Sequence, residues 1–204
     1  INSSTIDSIV PENLRGPNSE WVGIAKRSRV IYYNPVKVSA EDMEGLTYED
    51  LSDPKWKGRV AIRSSGNMYN QSLVASLIAN NGVDATEKWA HRFVGNFARK
   101  PEGNDRAQIM AVANGEADVA VANSYYIGLM LSGKKGEEQQ AAARKVELHF
   151  PGQDGRGAHI NVSGAGLMKN APNAGNAVKF IDFLLSEEAQ SHIVNNTYEF
   201  PMLE

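Results

Sequence analysis

The segment VANSYY (121–126) ends an apolar run and sets two adjacent tyrosines, Tyr125 and Tyr126, into what reads as the first turn of a helix. Adjacent helical residues point about 100° apart. Both rings can therefore meet one object only if it sits beyond the helix end, where these two lie. The segment RSSGNMYNQS (63–72) follows the same plan: a strand ends at Arg63, a helix begins near Asn67, and Tyr69 falls in its first turn. Ser64, Ser65 and Gly66 would leave backbone N–H groups facing outward, and a helix start with free N–H groups attracts anions. Taken singly, each segment has an ordinary reading, a plain N-cap for one and a pair of rim or core aromatics for the other.

Together they say more. In open α/β sheets such strand-to-helix turns converge at the carboxyl ends of the strands, where ligands bind. Tyr69, Tyr125 and Tyr126 would then meet beside two positive helix ends. A phenol has a pKa near 10 and ordinarily keeps its proton. A small, highly charged cation removes it, as coordination does for thiols and water, and hard cations prefer oxygen ligands. Three phenols without a carboxylate motif or a cysteine suit ferric iron better than calcium, magnesium or zinc. The helix ends would offset phenolate charge, and Arg29 could add positive charge behind the ligands.

Competing chemistries lack their residues. Cysteine is absent, which removes disulfides, zinc ribbons, iron–sulfur clusters and thiol nucleophiles. The four histidines (His91, His149, His159, His192) form no HExxH pair. No GxSxG, GxGxxG or GxxxxGK[ST] occurs, and VSGAG (162–166) matches the first only loosely. A nucleophile–base pair is not readable, so no enzyme is expected. The net charge of -3 provides no basic footprint for nucleic acid or anionic lipid. No stretch approaches the roughly 20 apolar residues of a membrane helix. With 42% hydrophobic and 22% charged residues, the 204-residue chain has the make-up of one large or two small globular domains.

The elements that must position the tyrosines alternate. Residues 1–20 read as an extended lead-in, 21–25 and 29–34 as two strands, and 59–63 as a buried strand. Helices are expected over 68–82, from an Asp84 cap to Phe97 (with Trp89, Phe93 and Phe97 on one face), and over 104–117. A strand at 117–123 feeds a helix at 124–133. A polar helix at 137–145, strands at 146–150 and 158–168, and helices capped by Asn173 and Ser186 complete the pattern. The prior is α/β with a parallel or mixed sheet.

The phrases WVGIAKRSRVIYYN, LSDPKWKGRVAIRSSGNMYNQS, MAVANGEADVAVANSYY and FPGQDGRGAHINVSGAG occur in order across nearly the whole chain. In them the chain resembles the ferric-iron-binding solute-binding proteins of bacterial ABC importers. LSDPKWKG and ANGEADVAV are shared more widely among solute-binding proteins; the tyrosines after VANS and SSGNM are the ligand-specific signals. The resemblance implies a type II periplasmic-binding-protein-like α/β fold of two lobes joined by hinge strands, with iron in the cleft. It matches Tyr125 and Tyr126 to an adjacent ligand pair, Tyr69 to a third ligand, and Arg29 to an arginine near the iron. In another branch an anion such as carbonate or phosphate is held beside the iron. Ser65, Gly66 and Asn123, with Asn67 beside them, sit where that anion would be held, and Asn104 or Asp105 aligns only loosely.

Members of that family begin with a strand carrying a His or Tyr ligand and end with a further segment. On this basis the chain is expected to be a fragment: 1–31 a lead-in, first-lobe remnant and hinge strand, 32–155 the second lobe with the tyrosines, and 156–204 a hinge strand and first-lobe remnant. The implied role is extracytoplasmic capture of Fe(III), in the periplasm or on a membrane-anchored lipoprotein, and delivery to an ABC permease. A receptor for phosphate, sulfate or an organic acid on the same fold is the alternative. Neither nucleic acid nor integral membrane insertion is expected.

Overall fold

The computed structural model describes residue 1 and residues 3–203. In chain order its elements are α1 (Ser4–Ile9), β1 (Trp21–Tyr33), α2 (Ala40–Met43), β2 (Val60–Ile62), α3 (Met68–Asn81), α4 (Val83–Val94), α5 (Asp105–Ala113), β3 (Val119–Asn123), α6 (Tyr125–Leu131), α7 (Glu137–Ala143), β4 (Glu147–His149), β5 (Ile160–Gly166), α8 (Ala174–Leu184), α9 (Glu187–Thr197) and β6 (Phe200–Pro201). They form two compact units, one of residues 1–27 with 160–204 and one of residues 28–159. The chain passes between them inside β1 and just before β5.

The unit of residues 28–159 is built on a mixed sheet ordered β2-β3-β1-β4. β2 and β3 are parallel, with Ile62 opposite Val121, whereas β1 runs antiparallel to both β3 and β4. Both faces are covered, so these strands are continuous apolar runs rather than alternating ones. One face packs Ile31, Tyr33, Val60, Ile62, Val119 and Val121 against Trp56, Leu73, Leu77, Trp89 and Phe93. The other packs Val30, Tyr32, Ala61, Ala120 and Ala122 against Ile109, Val112 and Met130. In the unit of residues 1–27 and 160–204, β5 and β6 pair with β1, and Ile6, Val10, Val22, Ile24, Ile181, Leu185 and Met202 make the core.

Several sequence expectations are corrected. The expected extended lead-in contains a helix at residues 4–9: Ser3 caps α1 by accepting from the Thr5 N–H, and Ile6 is buried. The two expected strands at 21–25 and 29–34 are one 13-residue strand. Polar Lys26-Arg27-Ser28 does not break it, because Arg27 finds Ser163 at 2.5 Å and Glu199 at 3.2 Å and the Ser28 N–H finds Ser124. Helix α4 starts after Gly82, with Asp84 in its first turn rather than at its cap, and ends at Val94. Phe97 lies beyond it, yet still meets Phe93 edge-on at 5.1 Å, while Trp89 and Phe93 stack at 4.7 Å. Gly82 ends α3 with φ +81°, a backbone that favours glycine.

Candidate metal centre

Because β2 and β3 are parallel neighbours, their carboxyl ends open side by side. β2 turns through Arg63–Asn67 into α3, and β3 turns through Ser124 into α6. At the first turn the Asn67 side chain accepts from the Tyr69 N–H at 3.0 Å, which fixes where α3 begins and therefore where Tyr69 stands. At the second, the Ser124 N–H donates to the Ser28 carbonyl at 2.8 Å and the Tyr32 hydroxyl donates to the Asn123 carbonyl at 2.9 Å, tying the end of β3 to β1.

The three tyrosines come together. The Tyr125 hydroxyl is hydrogen-bonded with those of Tyr126 and Tyr69, and the Tyr125 and Tyr126 rings lie 4.1 Å apart, tilted by 30°. All three side chains are half-buried. Burial first, then the neighbouring phenols, raise the Tyr125 pKa above its ordinary value. The Arg63 guanidinium sits over the Tyr69 ring, 5.8 Å from its centroid. Three oxygen donors thus converge. Among the described residues no group of three or more His, Cys, Asp or Glu side chains is placed to hold a metal ion.

The other residues singled out in the sequence are arranged around them. Arg29 is fully buried in the layer behind: it donates to Asp105 at 2.7 Å, Asn70 at 2.6 Å and Asn123 at 3.2 Å. Asn123 is also fully buried, and its Nδ2 has no hydrogen-bond partner among the described residues. Ser65 and Gly66 are exposed. The turn is less open to an anion than its sequence suggests, since the Gly66 N–H donates to the Ser64 hydroxyl and the Asn67 N–H to the Ser64 carbonyl. Sequence reasoning missed Asn70, and it named Asp105 only as a loose match near the anion position. Asn70 sits next to Tyr69 and bridges Arg29 to the carbonyls of Arg63 and Ser64. Asp105 draws Arg29 and Arg63 together.

The family described as bacterial extracellular solute-binding protein matches residues 1–204. This chain belongs to that family. Its similarity to iron uptake protein A1 of Synechocystis sp. is 54% identity over 203 residues, covering 100% of this chain and 56% of the relative. The major ferric iron-binding protein of Neisseria meningitidis is 31% identical over 183 residues, covering 90% of this chain and 53% of the relative. Among solved structures, Trichodesmium FutA (IdiA) in complex with iron and citrate superposes with a TM-score of 0.95 at 52% identity, covering 100% of this chain and 63% of that one. The fold is that of the type II periplasmic binding proteins, as the sequence resemblance implied. This solute-binding chain spans about half the length of the curated relatives it matches. Those relatives are named for iron uptake and for ferric iron binding. No helix among the described residues is long and apolar enough to cross a membrane.

Proposed function

We propose that this chain carries the tyrosine ligands of an extracytoplasmic ferric-iron receptor serving an ABC permease. Tyr69, Tyr125 and Tyr126 would bind Fe(III) as phenolates, and an anion such as citrate, carbonate or phosphate would complete the coordination beside the exposed Ser65 and Gly66. The observation that carries the reading is the hydrogen bonding of the Tyr125 hydroxyl to both other phenols: three oxygens brought together, with no cluster of acidic, His or Cys ligands among the described residues. A trivalent ion placed there would displace the three phenolic protons to solvent and match their charge with its own, and the surrounding arginines limit the repulsion among phenolates.

The alternative, a metal-free receptor for phosphate, sulfate or an organic acid, would draw on the turn at residues 64–67. Two of its N–H groups are already engaged by Ser64. The periplasm, or the outer leaflet for a lipid-anchored form, is the compartment this role requires.

Addition of Fe(III)-citrate to the metal-free protein should produce a visible phenolate-to-iron charge-transfer band that saturates at one iron per chain. Tyr125→Phe and Tyr126→Phe should each remove most of it. A folded protein that shows no band at stoichiometric Fe(III) would overturn the reading, and tight phosphate binding by calorimetry in its place would favour the alternative.

A further inference from the structure

Asp105 is the first residue of α5, a place where an acidic side chain ordinarily serves its own helix. Here that task belongs to Asn104, whose side chain caps α5 by accepting from the Ala107 N–H. The Asp105 carboxylate instead turns inward and is fully buried. One oxygen accepts from Arg29 at 2.7 Å and from the Asn123 backbone N–H at 2.9 Å; the other accepts from Arg63 at 3.3 Å.

Each of these partners leads to a tyrosine. Asn123 ends β3, two residues before Tyr125. Arg63 lies over the Tyr69 ring. Arg29 passes the connection on to Asn70, the residue after Tyr69, whose amide in turn donates to the Arg63 and Ser64 carbonyls at 2.7 and 3.2 Å. The carboxylate, with Arg29, thus holds the start of α3 and the end of β3 to one another by charge. Two guanidiniums share it, so the layer behind the phenols carries one positive charge in surplus. Burying such a triad costs solvation, and apolar packing would serve a purely structural purpose at least as well.

We propose that Asp105 is a positioning residue of the tyrosine site: its carboxylate, shared by Arg29, Arg63 and the Asn123 N–H, sets the separation between Tyr69 and the Tyr125–Tyr126 pair. The metal part of this inference rests on the ferric reading above; the geometric part does not. Asp105→Asn keeps the shape but turns an amide donor toward groups that are themselves donors. Groups that orient metal ligands typically change affinity by about 10–100-fold when altered, and a loss in that range is expected here.

The experiment compares three variants by competition with citrate for Fe(III) and by cross-relaxation between the Tyr69 and Tyr125 rings in metal-free, isotope-labelled protein. Asp105→Asn should weaken iron binding about 10–100-fold and reduce the ring-to-ring signal. Arg63→Gln removes a partly exposed partner and leaves the Arg29–Asp105 pair intact, so it should fold normally and show a smaller loss in both readouts. Leu51→Ala, in a buried core cluster that none of the three tyrosines joins, should lower the thermal midpoint with affinity and ring contact unchanged. Parent-like behaviour of Asp105→Asn would overturn the proposal, as would affinity falling in step with thermal midpoint across all three variants. If Asp105→Asn does not fold, an Arg63→Gln variant with the parent's affinity and ring contact overturns it. If the parent binds no Fe(III), the ferric reading fails and the ring contact alone decides whether Asp105 positions the tyrosines.

Discussion

The hydroxyl of Tyr125 is hydrogen-bonded to that of Tyr69, although one ring follows β3 and the other follows β2. Burial, helped by the neighbouring phenols, holds the Tyr125 proton more firmly than an ordinary phenol would. Phenolate ligation must expel that proton, so iron binding should release protons and strengthen as pH rises. Each proton released adds about one decade of affinity per pH unit. A proton-release titration on adding Fe(III)-citrate should show one proton fewer for Tyr125→Phe than for the parent. Equal release from the two would mean that Tyr125 does not ionise on binding.

Much of this site is legible in the linear chain, and the part that is not has a physical reason. Tyr125 and Tyr126 are legible because adjacency at a strand-to-helix turn is unusual for core aromatics. Tyr69 is legible because Asn67 two residues earlier is a cap that marks the helix start. Asp105 is not: a single acid after an Asn cap looks like dipole complementation, and its partners Arg29, Arg63 and Asn123 come from three distant segments. The fold shows the same division. Cap signals located α3 and α9 to within a few residues. The continuity of β1 through Lys26-Arg27-Ser28 depends on Ser163, Glu199 and Ser124, contacts that local polarity cannot reveal. Helix α1 is short and mostly exposed, so it has almost no periodic signal.

Glu49 gives a pH dependence of opposite origin. Burial tends to raise its pKa, but hydrogen bonds from Asn81 at 2.6 Å and Arg156 at 2.5 Å prevail and lower it. A carboxylate whose folded pKa is depressed contributes stability above its unfolded pKa and loses it as pH falls through the folded value. The pair is about one-third exposed, which limits it to under about 1 kcal/mol. Glu49→Gln should therefore have a slightly lower urea midpoint than the parent at neutral pH, with the gap closing in acid. A gap of the same size at both ends of the range would assign the effect to packing instead.

Two buried tyrosine hydroxyls should differ in what their removal costs. The Tyr48 hydroxyl donates to the Arg29 carbonyl at 2.5 Å and accepts from the His159 N–H at 3.0 Å, while the Arg29 N–H donates to the His159 carbonyl at 2.9 Å. Tyr48→Phe leaves a buried carbonyl without this partner and takes one from the His159 N–H. A loss of about 1–3 kcal/mol follows from the desolvation of an orphaned group. The Tyr33 hydroxyl donates to Glu147 at 2.5 Å, and that hydrogen bond, with burial second, pushes its pKa up to about 12. Glu147 is exposed, so after Tyr33→Phe water takes over its carboxylate and the cost should stay near the net value of one hydrogen bond, about 0.5–1.5 kcal/mol. Urea unfolding of both variants, with the denaturant slope unchanged, measures the difference. A larger loss for Tyr33→Phe than for Tyr48→Phe would show that orphaned backbone groups next to His159 find water after all.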